Sequence, residues 1–472
     1  MQDPAWTSVI PPLLAIVLAI ATRQVILSLS IGIWTGAWLL GAGNPLAAVP
    51  QAIEAVIHVF SDAGDTRVLV FTLVIGGLIA TIEKMGGVRG FIHLLQDRSW
   101  VTGPARAQWL AFGVGVVVFI ESNITLLIAG AVSRPLFDRF KISREKLAYI
   151  IDATSAPICV LIPFNAWGAV IVSLLSSSGV SQPIDVFLGA ILLNFYALAA
   201  VLVCAIVIWK DLDFGPMRSA QKRTRDGELL WPNATPMVDP SLMAAEQERR
   251  LPGDSAGLML WPISALVVSM PLGLYITGEG DLTAGSGSTS VLWAVLIALA
   301  VAWLLVLVRR QANLEMLMQL FLKGAGGLLP VAIILLFSLA LGDIANDLGT
   351  GVYVAQVAQE SIPNILLLPI LFLLSAVIAF SIGSSWGTFA IMIPLAMQLV
   401  GALDFNASVF LAAVLSGSVF GDHASPISDT TVVASMAAAT DHIDHVRTQL
   451  PYALVSAALA TIAFFIAGFV LL

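Results

Sequence analysis

Long apolar stretches follow one another along nearly the whole chain, and short polar segments separate them. Many of these stretches approach the ~20 residues that an α-helix needs to cross a bilayer. Lipid offers no hydrogen bonds to the backbone, so membrane-spanning stretches of this kind form helices. The pattern therefore predicts an all-α polytopic membrane protein. The predicted spans lie at about 7–21, 25–43, 67–84, 185–209, 257–277, 290–308, 326–344 and 451–471.

Four further apolar segments carry polar residues or prolines near their middle. Those at about 107–133 and 363–401 predict re-entrant hairpins, and those at about 147–178 and 406–436 predict broken helices. The strongest interruption is at 421–431, where two carboxylates, an imidazole and a proline stand in an oily region. Broken membrane helices persist where their freed backbone groups face protein, water or an ion. This pattern is typical of an ion or substrate site in a membrane transporter.

The composition supports a membrane protein, because 58% of the residues are apolar and only 11% are charged. A soluble protein of this length would carry about a quarter charged residues. No basic patch is interleaved with aromatic residues, so we expect no nucleic-acid partner. Cys159 and Cys204 lie in apolar stretches and are expected to be packing residues. The chain start lacks the basic n-region of a signal peptide, so the first apolar segment is expected to remain as a span.

The basic residues predict how the chain is oriented, because Lys and Arg concentrate in cytoplasmic loops. With the spans above, every basic residue except Arg67 falls on one side. The opposite loops instead carry Asp62, Asp65, Asp185, Glu279, Asp281, Asp343, Asp347, Glu360 and Asp404. This assignment predicts a multi-pass protein of the cell inner membrane with both termini in the periplasm.

The two halves of the chain echo one another in the order of their elements. Residues 82–88 resemble 345–352, and each is followed by a hairpin with a polar tip and then by a span broken at a proline, Pro157 or Pro426. The assigned topology starts the halves on opposite sides, which is the inverted repeat of secondary transporters. We therefore predict an N-terminal half at 1–209, a cytoplasmic linker loop at 210–256 and a C-terminal half at 257–472.

The polar middles contain the groups that cation and proton binding require. Na⁺ loses its waters only where oxygen dipoles and a nearby negative charge replace them, and a proton site needs a group that titrates in the working range. The cation- or proton-binding candidates are Asp422, Asp429, Asp152, His423 and Glu121. The coordinating candidates are Ser122, Asn123, Thr125, Thr154, Ser155, Asn165, Ser384, Ser385, Thr388, Ser425, Ser428 and Thr430. Na⁺ is predicted at Asp422, Asp429, Ser385 and Thr388, as a transported ion together with H⁺ and not as a resident cofactor.

Each candidate also has a purely structural alternative. Membrane Ser and Thr hydroxyls often bond the carbonyl of the preceding turn. Four other histidines, His58, His93, His442 and His445, are expected to be solvated. The remaining alternatives are a helix cap for Asp429, pairing with His423 for Asp422, a position near the inner surface for Asp152, an anchor of the hairpin tip for Glu121, and a partner of broken backbone for Asn165.

These motifs resemble the NhaC family of Na⁺/H⁺ antiporters within the ion transporter superfamily. The resemblance is carried by residues 421–431, by Ser384-Ser385-Trp386-Gly387-Thr388, and by 152–157 followed by 163–168. It implies an inverted-repeat ion-transporter fold with scaffold and transport parts, a homodimer formed through the scaffold, elevator-like movement and exchange of a monovalent cation for protons. Ala424 departs from the Cys expected in many relatives, and the tip at 121–125 resembles that of organic-anion carriers.

We hypothesise a secondary transporter that exchanges Na⁺, or Li⁺, for H⁺ across the lipid bilayer. The main alternative is a Na⁺-coupled symporter or exchanger of a small carboxylate or amino acid, which is disfavoured because no Arg or Lys is placed deep in a span. A channel, or a signalling protein on a transporter scaffold, is a further alternative. An enzyme is not expected, because Asp422, His423 and Ser425 are too close in sequence for a nucleophile–base geometry and no zinc-ligand pattern exists.

Overall fold

A computed structural model describes residues 6–22, 24–41, 44–96, 102–119, 122–163, 165–236, 253–280, 285–350, 352–353, 356–357, 362–403 and 405–471. The regular elements in these ranges are helices, and two short 3-10 turns join them at Trp6–Val9 and Val59–Ser61. The first half contains α1 Ile10–Thr22, α2 Val25–Leu40, α3 Ala48–His58, α4 Ala63–Lys84, α5 Gly87–Gln96, α6 Pro104–Val117, α7 Ser122–Arg139, α8 Arg144–Ala153, α9 Ala156–Leu161, α10 Ala166–Ser177, α11 Pro183–Ile191, α12 Phe195–Lys210 and α13 Pro216–Arg225. The second half contains α14 Gly257–Thr277, α15 Gly287–Val308, α16 Leu314–Asp347, α17 Asn364–Ile382, α18 Ser385–Leu403, α19 Ala407–Ala424, α20 Asp429–Ala438 and α21 His442–Leu471.

Nine helical segments in the described ranges are long and apolar enough to cross a membrane, with α11 and α12 taken together. Their outer faces expose many large apolar side chains, which suit a lipid environment. Three shorter apolar helical segments, Trp6–Ala19, Val25–Leu40 and Ala48–Ser61, accompany them. Both cysteines are buried. The prediction of an all-α polytopic membrane protein is confirmed.

Three predicted spans differ from the helices observed. The span at 326–344 is part of α16, which runs for 34 residues. The span at 451–471 begins earlier, because Pro451 lies inside α21 and does not start it. The span at 185–209 divides at 192–194, where the Asn194 side chain caps α12 by accepting a hydrogen bond from the Ala197 amide.

Both predicted broken helices are interrupted at their prolines. In the first half, α8 ends at Ala153 and α9 begins with Pro157 in its first turn. In the second half, residues 425–428 separate α19 from α20, and Pro426 lacks the amide that would continue the helix. Ser428 is the N-cap of α20, since its hydroxyl accepts from the Thr431 amide. Helix capping was the structural alternative for Asp429, and Ser428 provides this cap.

The two halves pack against each other reciprocally. The second arm of the first hairpin, α7, packs against α20 beyond the second break, and the second arm of the other hairpin, α18, packs against α10 beyond the first break. The corresponding helices α4 and α16 pack together, as do α12 and α21. This reciprocal packing is the arrangement that an inverted repeat predicts, and it brings both hairpins and both breaks to the centre.

Charged side chains cluster in two places in the structure. Near the start of α8, Lys146 is buried between Asp211 and Asp213, and Arg223 of α13 forms a two-pronged ion pair with Glu145. The first part of the predicted linker is thus folded onto the helices. Elsewhere, a cavity of about 650 Å³ is lined by His58 and by four carboxylates that the charge pattern places together, Asp62, Asp65, Asp343 and Asp347.

Candidate functional site

The carboxylate of Asp422 is the centre of the second break. Its side chain is completely buried at the end of α19. One oxygen, Oδ1, accepts from the Ser428 hydroxyl at 2.6 Å, and Oδ2 accepts from the hydroxyls of Ser385 at 3.1 Å and Thr430 at 3.2 Å. The hairpin tip, the broken segment and the start of α20 therefore each supply one hydroxyl to the same carboxylate.

Backbone contacts hold the hairpin tip against the second break. The Ser425 hydroxyl donates to the Phe380 carbonyl at 2.7 Å, which joins the break to the last turn of α17. Gly383 follows that helix with φ +74°, a left-handed conformation that glycine adopts without strain. A Cβ there would also press on the backbone of Ile427. The close approach of tip and break explains why Ser385 reaches Asp422.

The carboxylate of Asp152 belongs to the first half but bonds to the second. It is completely buried inside the protein. Its Oδ2 accepts from the Gln449 side-chain amide at 2.6 Å and from the Thr431 hydroxyl at 3.4 Å. The same Thr431 hydroxyl lies 3.4 Å from the backbone carbonyl of Asp422. One hydroxyl therefore connects the surroundings of the two carboxylates.

His423 lies on the other side of Asp152. Its Nδ1 is 3.2 Å from the hydroxyl of Tyr196, on α12. Its Nε2 faces Asp152 Oδ1 at 3.9 Å, and neither atom has a hydrogen-bond partner within the ranges the structure describes. Both side chains are buried. A polar cluster inside the protein thus contains two carboxylates and an imidazole.

Several candidate hydroxyls and the amide of Asn165 bond the backbone instead of a carboxylate. Asn165 donates to the carbonyls of Phe119 and Cys159, at 2.9 and 2.8 Å, and accepts from the Gly168 amide. It thereby binds one carbonyl of the first hairpin and one of α9, and it caps α10. The hydroxyls that donate to backbone carbonyls are those of Thr125 to Val118, Thr154 to Ile150, Ser155 to Asp152 and Thr388 to Ser384.

Two of the predicted carboxylates cannot be placed in this arrangement. Glu121 and the side chain of Asp429 lie outside the described residues. Within the described ranges, no group of three or more His, Cys, Asp or Glu side chains has a geometry that would hold a metal ion. The donors around Asp422 are instead hydroxyl oxygens, which suit an alkali cation better than a transition metal.

Sequence reasoning missed the residues that α21 and α20 contribute. His445 is completely buried and His93 is 9% exposed, so the expectation that both are solvated is wrong. Gln449 stands one helical turn beyond His445, and both side chains face inward. Two polar residues four positions apart lie on one face of a helix, and this spacing indicates the pair in the sequence. The predicted span begins at Pro451 and therefore excludes both residues. The sequence prediction also does not include Tyr196, Thr431 and Ser435.

A cavity of about 100 Å³ lies between the two hairpin tips. Asn123 from the first tip and Ser384 and Trp386 from the second line it, with apolar residues of α4 and α16. Among the described residues that line it, none is a Lys or Arg. Ser384 precedes the Ser385 that bonds Asp422. Ser122 is buried at the first tip.

Comparison with known proteins identifies relatives along the whole chain. An uncharacterized protein of Haemophilus influenzae is 34% identical over 496 aligned residues, covering 99% of this chain and 92% of that protein. The arginine/ornithine antiporter ArcD of Halobacterium salinarum is 39% identical over 108 residues, 22% of each chain. The malate-2H⁺/Na⁺-lactate antiporter of Bacillus subtilis is 37% identical over 107 residues, 21% of this chain and 23% of that one.

The fold also has a counterpart among solved structures. The crystal structure of the Alcanivorax borkumensis YdaH transporter superposes with a TM-score of 0.61 over 94% of this chain and 98% of that one, at 15% identity. This similarity shows a shared transporter fold. The family model described as the Na⁺/H⁺ antiporter family matches residues 180–469, which include the second hairpin and Asp422 with the three hydroxyls bonded to it. The chain therefore belongs to the Na⁺/H⁺ antiporter family.

Proposed function

We propose that this secondary transporter exchanges Na⁺, or Li⁺, for H⁺, and that Asp422 carries either ion in turn. The observation that supports this proposal most strongly is the buried Asp422 carboxylate with three hydroxyls bonded to it. A buried negative charge is costly unless it is neutralised, and either a proton or a sodium ion neutralises it.

The three hydroxyls can serve the carboxylate in both its proton-bound and its Na⁺-bound state. A serine or threonine hydroxyl donates one hydrogen and keeps two acceptor lone pairs. When Na⁺ arrives, the hydroxyls of Ser385, Ser428 and Thr430 rotate and offer these lone pairs to the ion, beside the carboxylate. When Na⁺ leaves, the hydroxyls donate to the carboxylate again or to its protonated form. The site therefore binds one ion or the other, not both.

The other candidate groups support the same carboxylate. Asp152 provides a second negative charge, linked to Asp422 through Thr431. His423 faces Asp152 at 3.9 Å and would carry a proton there when the cation is absent. Asp429 begins α20 and remains a candidate cation ligand. The comparisons support cation coupling, since the matched relative of Bacillus subtilis is named for both H⁺ and Na⁺.

A transport assay with purified protein in proteoliposomes tests the proposal. A pulse of external Na⁺ or Li⁺ should change the internal pH, and K⁺ should do so much less. Asp422→Asn should abolish the response, whereas Asp226→Asn, at an exposed carboxylate, should leave it intact. Active protein that moves no protons in response to either cation contradicts the exchange, and full activity of Asp422→Asn contradicts the assignment of that residue.

A second candidate function is Na⁺-coupled transport of a small carboxylate or amino acid. It is favoured by the named substrates of the two matched antiporters and by the cavity between the hairpin tips. The absence of Lys and Arg from the described lining of that cavity weighs against an organic anion. A thermal-shift screen of small solutes decides the matter: stabilisation that requires both solute and Na⁺ favours this function, and stabilisation by Na⁺ alone favours ion exchange.

The setting in the cell is part of the proposal. The separation of basic and acidic loops along the sequence supports an inner-membrane protein whose basic loops, with Lys146 and Arg223, face the cytoplasm. The same orientation places both termini in the periplasm. The homodimer implied by the family resemblance is likewise a proposal, and cross-linking in native membranes would test it.

A further inference from the structure

Two histidines share one serine hydroxyl beside the carboxylate cluster. The hydroxyl of Ser435, on α20, lies 2.9 Å from Nδ1 of His445 and 3.0 Å from Nδ1 of His442. Ser435 and His445 are completely buried, while His442 is half-buried at the start of α21. The group therefore extends from the protein interior to a position that water can reach.

The surrounding acceptors determine where the ring hydrogens lie. His442 Nε2 is 2.7 Å from the carbonyl of Pro426, which can only accept, so this nitrogen carries a hydrogen. The Gln449 amide nitrogen donates to the carbonyl of His423 at 3.0 Å, which fixes the orientation of the amide. Its oxygen then accepts from His445 Nε2 at 2.9 Å. Both rings therefore have bare Nδ1 atoms when they are neutral.

When both histidine rings are neutral, the three side chains have too few hydrogens for their hydrogen-bond acceptors. The Ser435 hydroxyl has one hydrogen, and three acceptors surround it: the two Nδ1 atoms and the Thr431 carbonyl at 2.8 Å. With both rings neutral, at least one Nδ1 faces the lone pairs of Ser435, which is unfavourable in a buried site. A proton added to one Nδ1 converts that contact into an N–H···O bond, and the hydroxyl then donates to the other ring.

We propose that His442, Ser435 and His445 form a proton-binding site that holds one shared proton during exchange. This proposal rests on the proposed Na⁺/H⁺ exchange. When the Nδ1 hydrogen of one ring passes to the Ser435 oxygen and the serine hydrogen passes to the other Nδ1, the positive charge moves between the rings. No other group is consumed. The half-buried ring of His442 is where the proton enters from water.

The charges around the pair explain why a proton would be held there. Asp152 Oδ2 lies 3.9 Å from His445 Nε2 and supplies a buried negative charge beside the pair. Arg144 donates to the carbonyl of Ala439, at the end of α20, but Asp138 neutralises it. Other titratable and charged groups lie on the elements that pack against the pair. They include Asp422 and His423 on α19, Asp441 and Asp444 beside the pair, Arg447 and Tyr452 on α21, Lys146 and Tyr149 on α8, Arg134 and Arg139 on α7, Tyr196 on α12, and the Glu145–Arg223 ion pair.

The pair is also linked to the cation site. His442 donates to Pro426 inside the second break, and Gln449 joins His445 to Asp152 and to the backbone of His423. Because like charges oppose each other over short distances in a poorly hydrated interior, Na⁺ at Asp422 disfavours the shared proton. Cation and proton would then compete through charge without sharing a ligand.

The test compares two buried serines that have the same backbone bond. Ser435 donates to the carbonyl four residues earlier at 2.8 Å, and Ser418 does so at 2.7 Å, but only Ser435 lies between histidines. We expect Ser435→Ala to slow Na⁺-driven proton movement at least about tenfold, the scale of a lost proton-transfer group. Ser418→Ala, and His58→Gln at an exposed ring, should keep the wild-type rate and pH profile.

A second readout does not depend on transport. With ¹⁵N-labelled histidine in nanodiscs, the His442 and His445 signals, assigned by His442→Gln and His445→Gln, should shift together and take up one proton between them as the pH falls. Ser435→Ala should make them titrate independently. Independent titration in the wild type, or a wild-type rate and profile in Ser435→Ala, would overturn the proposal. If the wild type moves no protons with Na⁺, the exchange itself is wrong, and the NMR titration still decides whether the proton is shared.

Discussion

The two broken helices have the same architecture but use their polar side chains differently. At the first break, Thr154, Ser155 and Asn165 bond backbone carbonyls and amides. At the second break, three hydroxyls converge on the side chain of Asp422. The acidic side chain of the first break, Asp152, points away from its own half and bonds to Gln449 and Thr431.

This difference supports a proposal with one ion site within the repeated fold. In that proposal, the first break is a structural joint, and its carboxylate supplies charge to the second. The second break has hydroxyl oxygens that can turn toward an ion. We therefore propose a single cation site with a neighbouring counter-charge.

The largest expected effect is the difference in transport rate between variants of Asp422 and of Asp152. Asp422→Asn should lower Na⁺-driven proton movement by at least about 100-fold, because a neutral amide holds neither ion, and this loss corresponds to about 2.7 kcal/mol. Asp152→Asn should lower it by about tenfold, because only the counter-charge is lost. Rates in proteoliposomes at equal protein density provide the measurement. Equal losses in the two variants would mean that both carboxylates hold the cation.

The next effect separates the hydroxyls of the two breaks. Ser385→Ala should raise the Na⁺ concentration for half-maximal rate by about 5- to 30-fold, as expected when a buried oxygen ligand worth about 1–2 kcal/mol is removed. Thr154→Val, whose hydroxyl bonds only the backbone, should leave this concentration unchanged. A larger rise of the half-maximal Na⁺ concentration in Thr154→Val than in Ser385→Ala would contradict the different roles of the two breaks.

A third effect concerns stability instead of transport. Asn165 donates to two carbonyls and caps α10, so Asn165→Ala removes three hydrogen bonds to the backbone. We expect a loss of about 2 kcal/mol in the free energy of unfolding, and a lower melting temperature in detergent. The half-maximal Na⁺ concentration of the folded fraction should stay near the wild-type value. A large change in Na⁺ affinity without a change in melting would instead place Asn165 in the cation site.

The smallest expected effect concerns Asp441, in the connection between α20 and α21. Burial raises the pKa of the Asp441 carboxyl, but hydrogen bonds from the Thr235 amide and from its own neighbours outweigh it and hold the pKa below the usual 3.8. Because the pKa of Asp441 is lower in the folded protein than in the unfolded chain, the ionised carboxylate stabilises the attachment of Thr235 at pH values above the unfolded-state pKa. This stabilisation is lost as the pH falls through the folded-state pKa. Limited proteolysis near residue 235 should therefore accelerate below about pH 3.8 in the wild type. Asp441→Asn should be cleaved at the same rate on both sides of that pH.

Much of this structure could be predicted from the residues alone. Apolar run lengths give most of the spans, and the prolines at 157 and 426 locate both breaks. The polar run at 421–431 identifies Asp422 as the central candidate. These features are local, because each depends on the chemistry of a short segment in lipid.

The partners of the candidates could not be predicted in the same way. Gln449 and Tyr196 reach the cluster from helices that are distant in the chain, and only the packing of α21 and α12 places them there. Residue type alone made hydroxyls of both breaks candidates for coordination. Whether a hydroxyl bonds a carbonyl or a carboxylate depends on the rotamer and on the neighbouring helix, which residue type does not determine.

The most direct test of the account is the effect of pH on Na⁺ binding to purified protein, measured by calorimetry in detergent with proton release recorded in a weakly buffered solution. If Asp422 holds one ion at a time, the dissociation constant for Na⁺ should rise about tenfold for each pH unit on the acidic side, and about one proton should leave for each Na⁺ bound. Asp422→Asn should show neither binding nor release. A dissociation constant that stays the same from pH 5 to pH 9, with no proton released, would contradict the account.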